Sequence, residues 1–269
     1  MANEIVQAEQ QVSAMVISNV ETLEALNRSE IDIQISTAKK FPRNITKCLS
    51  TIETLATLDK EVAASCFYSI PRDGKTVSGP SVRMAEIVAS AWGNLRVQAR
   101  IISNDGKIIT AQGVCHDLET NVATSVEVKR KITNKYGKTF SEDMQVVTGN
   151  AACAIAMRNA VFKVVPAAYC KKVLDKAKKL SVGEGKEFEQ VRKDTVKWFA
   201  SVGVSSKTLF DFLSVKSELD ITAEMVSDLR GMATAIQEGS STIEEIFAPK
   251  VDEKKAKEVS DKFKNFNVE

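Results

Sequence analysis

Three consecutive segments of alternating residues constrain the fold of this chain more than any other feature. In LRVQARI, residues 95–101, apolar side chains alternate with Arg96, a glutamine and Arg100, a spacing that places the two sets on opposite faces of a strand. The triplet Asn104-Asp105-Gly106 is typical of a hairpin turn. KIITAQGVCHD and, after LETN, VATSVEVKRKI read as two further strands. The spacing predicts a three-stranded antiparallel meander over residues 95–133.

Helical signals lie on both sides of this meander. Residues 44–66 carry apolar positions on one helical face, and GPSVRMAEIVASAWGN, residues 79–94, has Pro80 where a first helical turn tolerates proline. MQVVTGNAACAIAMRNAVFKVVP, residues 144–166, predicts a helix whose small residues allow close approach to a neighbouring element. The predicted fold class is α+β: an antiparallel three-stranded meander packed with helices, followed by a small all-helical C-terminal unit.

Changes in composition divide the 269 residues into five predicted regions. The stretch SVGEGKE indicates a linker because glycine and charge interrupt the apolar pattern. The segment after Pro249 is rich in charge, which is typical of a solvated tail. The predicted regions are a helical N-terminal arm at 1–40, a core at 41–180, the linker at 181–187, a helical domain at 188–248 and a charged tail at 249–269.

Charge is segregated along the chain although the formal net charge is only +2. Residues 39–180 hold 23 Lys and Arg against 12 Asp and Glu, a net charge of +11. Residues 211–246 instead hold eight acids against Lys216 and Arg230. A basic middle favours a polyanion as its partner, and an acidic C-terminal unit favours a different partner.

Catalytic motifs are not apparent in the sequence. HExxH, GxSxG and GxxxxGK[ST] do not occur, and the chain has a single histidine. We therefore predict no enzymatic activity and no cofactor or metal. His116, Asp117 and Glu119 are the one cluster that suggests an alternative, a metal-dependent nuclease, although polar residues are also expected where a strand ends at a turn.

The cysteines and the N-terminus point to the cytoplasm. The five cysteines are odd in number and have no CxxC spacing, which favours reduced thiols, most of them buried. The start MANEIVQAEQ does not have the basic and apolar regions of a secretory signal. No apolar run reaches the ~18 residues of a membrane span.

Clustered cations are the strongest functional signal. PRDGK and GPSVR place cations beside glycines at a helix start, which is typical of an anion-binding surface and also of a simple structural turn. VKRKITNKYGK interleaves lysines with Tyr136, either as a binding loop or as a solvated one. The candidate nucleic-acid-binding residues are Arg72, Lys75, Arg83, Lys129, Lys131, Lys135, Arg158 and Lys163.

Arg158 differs from the other candidates because it lies in the middle of an otherwise apolar helix. A guanidinium in such a position needs either an internal carboxylate or an external anion. Both alternatives stay open at this point.

The low aromatic content indicates how such a surface would bind. Aromatic residues make up only 6% of the chain, so few platforms for base stacking exist. Binding through phosphates weakens with salt by a slope of about −0.7 per phosphate for a single strand. We therefore expect weak sequence preference, strong salt dependence and bases left free.

The order of these motifs resembles a known family. FYSIPRDGKTVSGPSVRMAEIVASAWGN, a strand meander and GNAACAIAMRNAVFKVVP together resemble phage single-strand annealing proteins of the RecT/Red-beta type. ITAEMVSDLRGMATAIQEGSSTIEEIF resembles the terminal helical unit of such recombination proteins. The resemblance covers residues 60–250.

This resemblance implies an ATP-independent protein that forms rings or helical filaments on single-stranded DNA and anneals complementary strands in recombination. Residues 41–180 would then bind DNA and oligomerise, and residues 188–248 would bind a phage exonuclease and the host single-strand binding protein. The positions that match the family's basic groove are Arg72, Lys75, Arg83, Arg158 and Lys163, whereas Lys129, Lys131 and Lys135 are assigned to its edge by charge alone.

Two alternatives to annealing stay open at the sequence level. The first is a passive single-stranded nucleic-acid coat protein, which shares the basic surface but does not accelerate pairing. The second is the nuclease based on His116, Asp117 and Glu119. The acidic unit at 188–247 also has three interpretations: it docks a partner, it shields the basic groove until DNA displaces it, or its aromatic residues form its own small core.

Overall fold

The computed structural model describes residues 2–72, 75–134 and 136–247. The predicted charged tail at 249–269 lies outside the described residues. In chain order the elements are α1 (Ala2–Lys40), α2 (Ile45–Ala56), α3 (Lys60–Ser65), β1 (Phe67–Arg72), β2 (Lys75–Pro80), α4 (Val82–Trp92), β3 (Leu95–Asn104), β4 (Ile108–Asp117), β5 (Val122–Lys131), α5 (Glu142–Val164), α6 (Ala167–Val182), α7 (Lys186–Ser201), α8 (Ser206–Leu213), a 3-10 turn (Glu218–Asp220), α9 (Ala223–Gln237) and α10 (Ile243–Phe247).

The predicted α+β class is confirmed. Strands β3, β4 and β5 form an antiparallel meander in that order, and the C-terminal elements are helical. The turn between β3 and β4 forms where the sequence predicted it, because the Asp105 carboxylate accepts hydrogen bonds from the backbone N–H groups of Lys107 and Ile108 and Gly106 adopts a φ of +81°.

The chain divides into two compact units. The sheet unit consists of Met1–Leu58 and Val82–Asp175, and the helical unit consists of Asp59–Ser81 and Lys176–Glu269. This division differs from the predicted regions because residues 59–81, expected in the core at 41–180, group with the C-terminal helices. The predicted linker is also shorter than expected: α6 continues to Val182, and the left-handed residues Gly183 and Gly185 turn the chain into α7.

Helix α5 covers one face of the meander in the sheet unit. On the central strand β4, every second residue from Ile109 to Asp117 is buried. A Cβ atom placed on Gly113 would lie 2.3 Å from the backbone carbon of Ala156, so the strand and the helix touch backbone to backbone. The predicted close approach by the small residues of this helix is therefore observed, and we call the covered side of the sheet its inner face.

A β-hairpin and two helices of the helical unit pack together although they are far apart in sequence. Strand β1 lies on α9, where a Cβ atom on Gly231 would lie 2.7 Å from the Ser69 hydroxyl oxygen. The Thr234 hydroxyl donates to the carbonyl oxygen of Ala64 in α3 at 3.1 Å, and Arg230 pairs with Glu61 at 2.8 Å. The hairpin consequently needs α9 for its burial.

The helical unit has an aromatic and aliphatic core. Phe199 is fully buried and packs edge-on against Trp198 and Phe247. This arrangement agrees with the third interpretation of the acidic unit, in which its aromatic residues form its own core. The buried apolar residues include Val191, Val196, Phe199, Leu209, Ile221, Val226, Leu229 and Met232.

Residues 44–66, predicted as one helix, form two. Helix α2 ends at Ala56, and Asp59 then caps α3 by accepting hydrogen bonds from the backbone N–H groups of Glu61 and Val62 at 2.8 Å. This break coincides with the boundary between the two units. The side-chain preference of aspartate for helix caps thus overrides the continuous apolar pattern.

All five cysteines are free thiols, and four of them are buried. Burial raises the pKa of Cys115 and of Cys170 to about 11, so both thiols stay protonated at neutral pH.

Among the described residues, no single helix combines the length and apolar character of a bilayer span. Only α5 and α6 taken together do so, and the two helices are bent by 118° relative to each other.

Candidate nucleic-acid interface

The side of the meander that faces away from α5 is polar, and we call it the outer face. Directly opposed residues of antiparallel strands share a face, so the register shows which residues lie on it. Arg100 lies opposite Gln112, and Gln112 lies opposite Glu127. The polar residues of the outer face are Arg96, Gln98, Arg100, Ser103, Thr110, Gln112, His116, Ser125, Glu127, Lys129 and Lys131.

Positive charge dominates the outer face. Four cations stand against the single carboxylate of Glu127. Arg100 donates from Nε and Nη2 to the Gln112 side-chain oxygen at 3.1 and 2.9 Å, and Arg96 donates to the Gln34 side-chain oxygen at 3.4 Å. These partners are neutral, so they orient the guanidinium groups without cancelling their charge.

Lys129 and Lys131 extend this charge along β5. Both side chains are exposed, and neither pairs with an acid among the described residues. Alternate residues of a strand lie about 7 Å apart. The two ammonium groups therefore form a short row on the same face as the arginines of β3.

The loop that follows β5 continues the same edge. It is closed by a bridge between Thr133 and Thr139, and the Asn134 side-chain oxygen accepts from the backbone N–H groups of Tyr136 and Lys138 at 2.9 and 3.0 Å. Tyr136 is 82% exposed, which makes its ring accessible for stacking on a base. Lys135, a predicted binding residue, lies outside the described residues.

Three other candidates belong to the sheet unit but not to the outer face. Arg83 on α4 pairs with Glu86 at 2.7 Å. Lys163 is exposed near the end of α5, the helix on the inner face. Arg158 is buried on α5 and donates from Nε and Nη2 to the side-chain oxygen of Asn159 at 3.2 Å. The predicted groove has Arg158 and Lys163 within it and Lys129 and Lys131 at its edge. The sheet unit does not bring these two pairs together, because the first pair lies on α5 and the second on the outer face of the sheet.

Arg72 and Lys75 belong to the helical unit. They are exposed and face each other as the last pair of the β1–β2 ladder. The structure therefore brings these two candidates together at the end of a hairpin, and it brings Lys129 and Lys131 together on the outer face. The two pairs therefore belong to different units.

Asp117 and Glu119, considered above as metal ligands, hold Arg43. The Arg43 guanidinium donates to both oxygens of Asp117, and its Nε donates to Glu119 at 2.8 Å. The guanidinium also lies 5.3 Å from the ring centre of Trp92. Only 7% of the Arg43 side chain is exposed, so the three residues form a structural ion-pair network on the inner side of the sheet.

The carboxylates of this network are held in the charged form. Burial raises the pKa of Asp117, but hydrogen bonds from Arg43 and from the Glu119 and Thr120 backbone outweigh it, so the pKa lies below its ordinary value. Burial also raises the pKa of Glu119, but hydrogen bonds from Asn94 and Arg43 outweigh it, so this pKa is lowered as well. His116 points elsewhere, since its Nε2 contacts the Asn121 side-chain oxygen at 3.0 Å.

This geometry gives the nuclease alternative no support. The oxygens that would bind a metal ion are occupied by a guanidinium, and His116 belongs to the outer face. Within residues 21–72, 75–134 and 136–247, no three His, Cys, Asp or Glu side chains are grouped so as to share a metal ion.

Comparison with protein-family models, with curated proteins and with solved structures gives no match in any of the three. The functional assignment therefore depends on the geometry described above. Arg96 and Arg100 were absent from the predicted binding residues, although their alternation with apolar residues already placed them on one face of a strand.

Proposed function

We propose that the chain binds single-stranded DNA on the outer face of its sheet and promotes annealing of complementary strands without ATP. The observation that supports this most directly is the group of four cations on one face of a rigid sheet, two of them oriented by neutral glutamines, with one acid among them. A surface of this kind favours a polyanion. We include Arg96 and Arg100 among the binding residues beside Lys129 and Lys131.

The mode of binding follows from the kind of side chains on this face. Lysine and arginine contact phosphates, and phosphate contacts fix a strand without reading its sequence. Tyr136 offers one exposed ring beside this surface, so stacking supplies fewer contacts than the four cations do. A strand that is held by its phosphates keeps its bases available for pairing, which is the requirement for annealing.

The packing behind the surface supports the same proposal. Backbone contact between Gly113 and α5 fixes the strand that lies at the centre of the sheet. Groups on rigid elements are held more accurately than groups on loops. The outer face therefore presents its charges without a large ordering cost on binding.

Binding is tested by fluorescence anisotropy with a labelled single strand of mixed sequence. The Lys129→Gln/Lys131→Gln variant should lower affinity at least about tenfold and reduce the salt slope by about 1.4, which corresponds to two lost phosphate contacts. The matched control is Lys171→Gln/Lys172→Gln, which removes the same charge from exposed positions of α6. Equal effects of the two variants would contradict the assignment to the outer face.

Annealing is tested separately with two complementary strands carrying a donor and an acceptor dye, without nucleotide. The proposal predicts faster pairing in the presence of the protein, and loss of that acceleration in Lys129→Gln/Lys131→Gln. Binding without acceleration would instead identify a passive coat protein.

Oligomers on DNA, a phage exonuclease and a host single-strand binding protein belong to the same proposal and are supported by the family resemblance alone. The exposed pair Arg72 and Lys75 is a second cationic surface, and its contribution is measured by the Arg72→Gln/Lys75→Gln variant in the same anisotropy assay.

A further inference from the structure

Helix α1 has two apolar faces, and among residues 21–72, 75–134 and 136–247 only one of them is buried. Toward its C-terminal end, Ala38 is 1% exposed, and Ile31 and Ile35 are partly buried. The spacing of these three residues, i, i+4 and i+7, defines one side of the helix. On the same stretch of the helix, the Gln34 side-chain oxygen accepts a hydrogen bond from Arg96 of β3 at 3.4 Å.

The second apolar face points to solvent. Leu23, Leu26 and Ile33 are 60%, 57% and 63% exposed. At 100° per residue they lie roughly 130° around the helix from Ile31, Ile35 and Ala38. A surface helix of a monomer normally has polar residues there, so this stripe indicates burial against another molecule.

The spacing of the stripe is that of a coiled coil. Leu26 and Ile33 are seven residues apart, and Leu23 precedes Leu26 by three. In the sequence the same repeat continues toward the N-terminus through valines at positions 16 and 12 and an asparagine at position 19. Helix α1 has 39 residues and hence a length of about 58 Å, which is sufficient for several heptads.

We propose that α1 pairs with α1 of a second copy of this chain in an antiparallel coiled coil. Placing Leu23 of one copy opposite Leu26 of the other defines the register. In this register each copy contributes Leu23 and Leu26 to the centre of the seam. The exposed leucines of the two copies then cover one another.

Charge favours this occupant and this orientation. A parallel pair would place Glu30 opposite Glu30, and like charges in a coiled-coil seam repel. The described positions that flank the stripe are uncharged, so two copies approach without repulsion between flanking side chains. These positions are Thr22, Asn27, Ser29, Gln34 and Ser36.

The pairing is tested by sedimentation equilibrium without DNA. Leu26→Glu should weaken self-association at least about tenfold, because each pair loses two buried leucines. The control Ala25→Glu adds the same charge at an exposed position outside the stripe and should leave association unchanged. Far-UV circular dichroism establishes that both variants remain folded. A wild-type chain that stays monomeric at high micromolar concentration would overturn the proposal.

Disulfide trapping tests the partner helix and the orientation. A mixture of Leu23→Cys and Leu26→Cys chains with different tags should form the mixed disulfide in preference to either same-position disulfide. Ala25→Cys serves as the background, since its side chain lies outside the stripe. Preferential same-position disulfides would overturn the antiparallel register, and yields at background level would overturn pairing through α1.

These experiments are independent of the proposed DNA binding. They are carried out without nucleic acid, and the variants keep all four outer-face cations. Loss of self-association with unchanged affinity for a short strand would separate the arm from the outer face.

Discussion

The cations on the two sides of the meander differ in their burial and in the charge of their partners. On the inner side, Arg43 is buried, and two carboxylates and an indole ring surround it. On the outer face, Arg96 and Arg100 have neutral partners, and Lys129 and Lys131 are exposed. Structural cations are therefore distinguished from available ones by burial and by the charge of their partners, and not by residue type. Three predictions test this distinction, and a fourth tests the packing between the inner face and α5.

The largest effect is expected for Arg43→Gln. Removing one partner leaves Asp117 and Glu119 as uncompensated, largely buried charges, which costs about 3–5 kcal/mol of unfolding free energy. Urea denaturation measures this loss. The control Arg100→Gln on the outer face should change stability by less than about 0.5 kcal/mol. Comparable losses in both variants would remove the contrast between the two sides.

A smaller loss is expected where α5 meets the sheet. Gly113→Ala introduces a Cβ atom 2.3 Å from the Ala156 backbone, which forces strand and helix apart and costs about 1–3 kcal/mol. Ser125→Ala, a change of similar size on the outer face, should have almost no effect. If Gly113→Ala were equally neutral, the close contact with α5 would not contribute to stability.

The inner side should also make stability depend on pH. The pKa values of Asp117 and Glu119 are lowered in the folded chain, so their contribution is complete above the unfolded values of about 3.9 and 4.3. It is lost as the pH falls through the folded values. Acid denaturation of the wild type should therefore be steeper than that of Arg43→Gln. Parallel denaturation curves for the two proteins would show that Arg43 does not cause the dependence of stability on pH.

The smallest effect is expected from the single acid of the outer face. Glu127→Gln removes repulsion of phosphates, and an exposed charge pair contributes about 0.2–1 kcal/mol. Affinity for single-stranded DNA should therefore rise about 1.4- to fivefold in anisotropy measurements at low salt. The increase should disappear at high salt. Weaker binding would place the strand elsewhere.

Local patterns were sufficient to predict the meander and α5. The alternation in residues 95–101, the turn at Asn104-Asp105-Gly106 and the small residues of α5 each act through neighbours in sequence. Where the structure has the β1–β2 hairpin, the sequence instead predicts a turn before a helix. Its burial depends on Gly231 and α9, which no local pattern in residues 67–80 indicates.

The site was predictable only in part for the same reason. Lys129 and Lys131 were identified from their charge, and strand alternation leads to Arg96 and Arg100. The resemblance places Arg158 in the same groove, because a sequence reveals a cation but not the layer in which it lies. No local pattern indicates the role of Arg43, because its partners, Asp117 and Glu119, are more than 70 residues away.

During synthesis on a ribosome, the β1–β2 hairpin is completed well before the helix that covers it. Ser69 contacts Asp228, 159 residues later. At about 5–20 residues per second, roughly 8 to 32 seconds pass between the synthesis of these two residues. During that interval β1 and β2 have no α9 to cover them. Nascent chains that are arrested before Asp228 should consequently expose Phe67 and Ile70, which are typical binding sites for chaperones that act during translation.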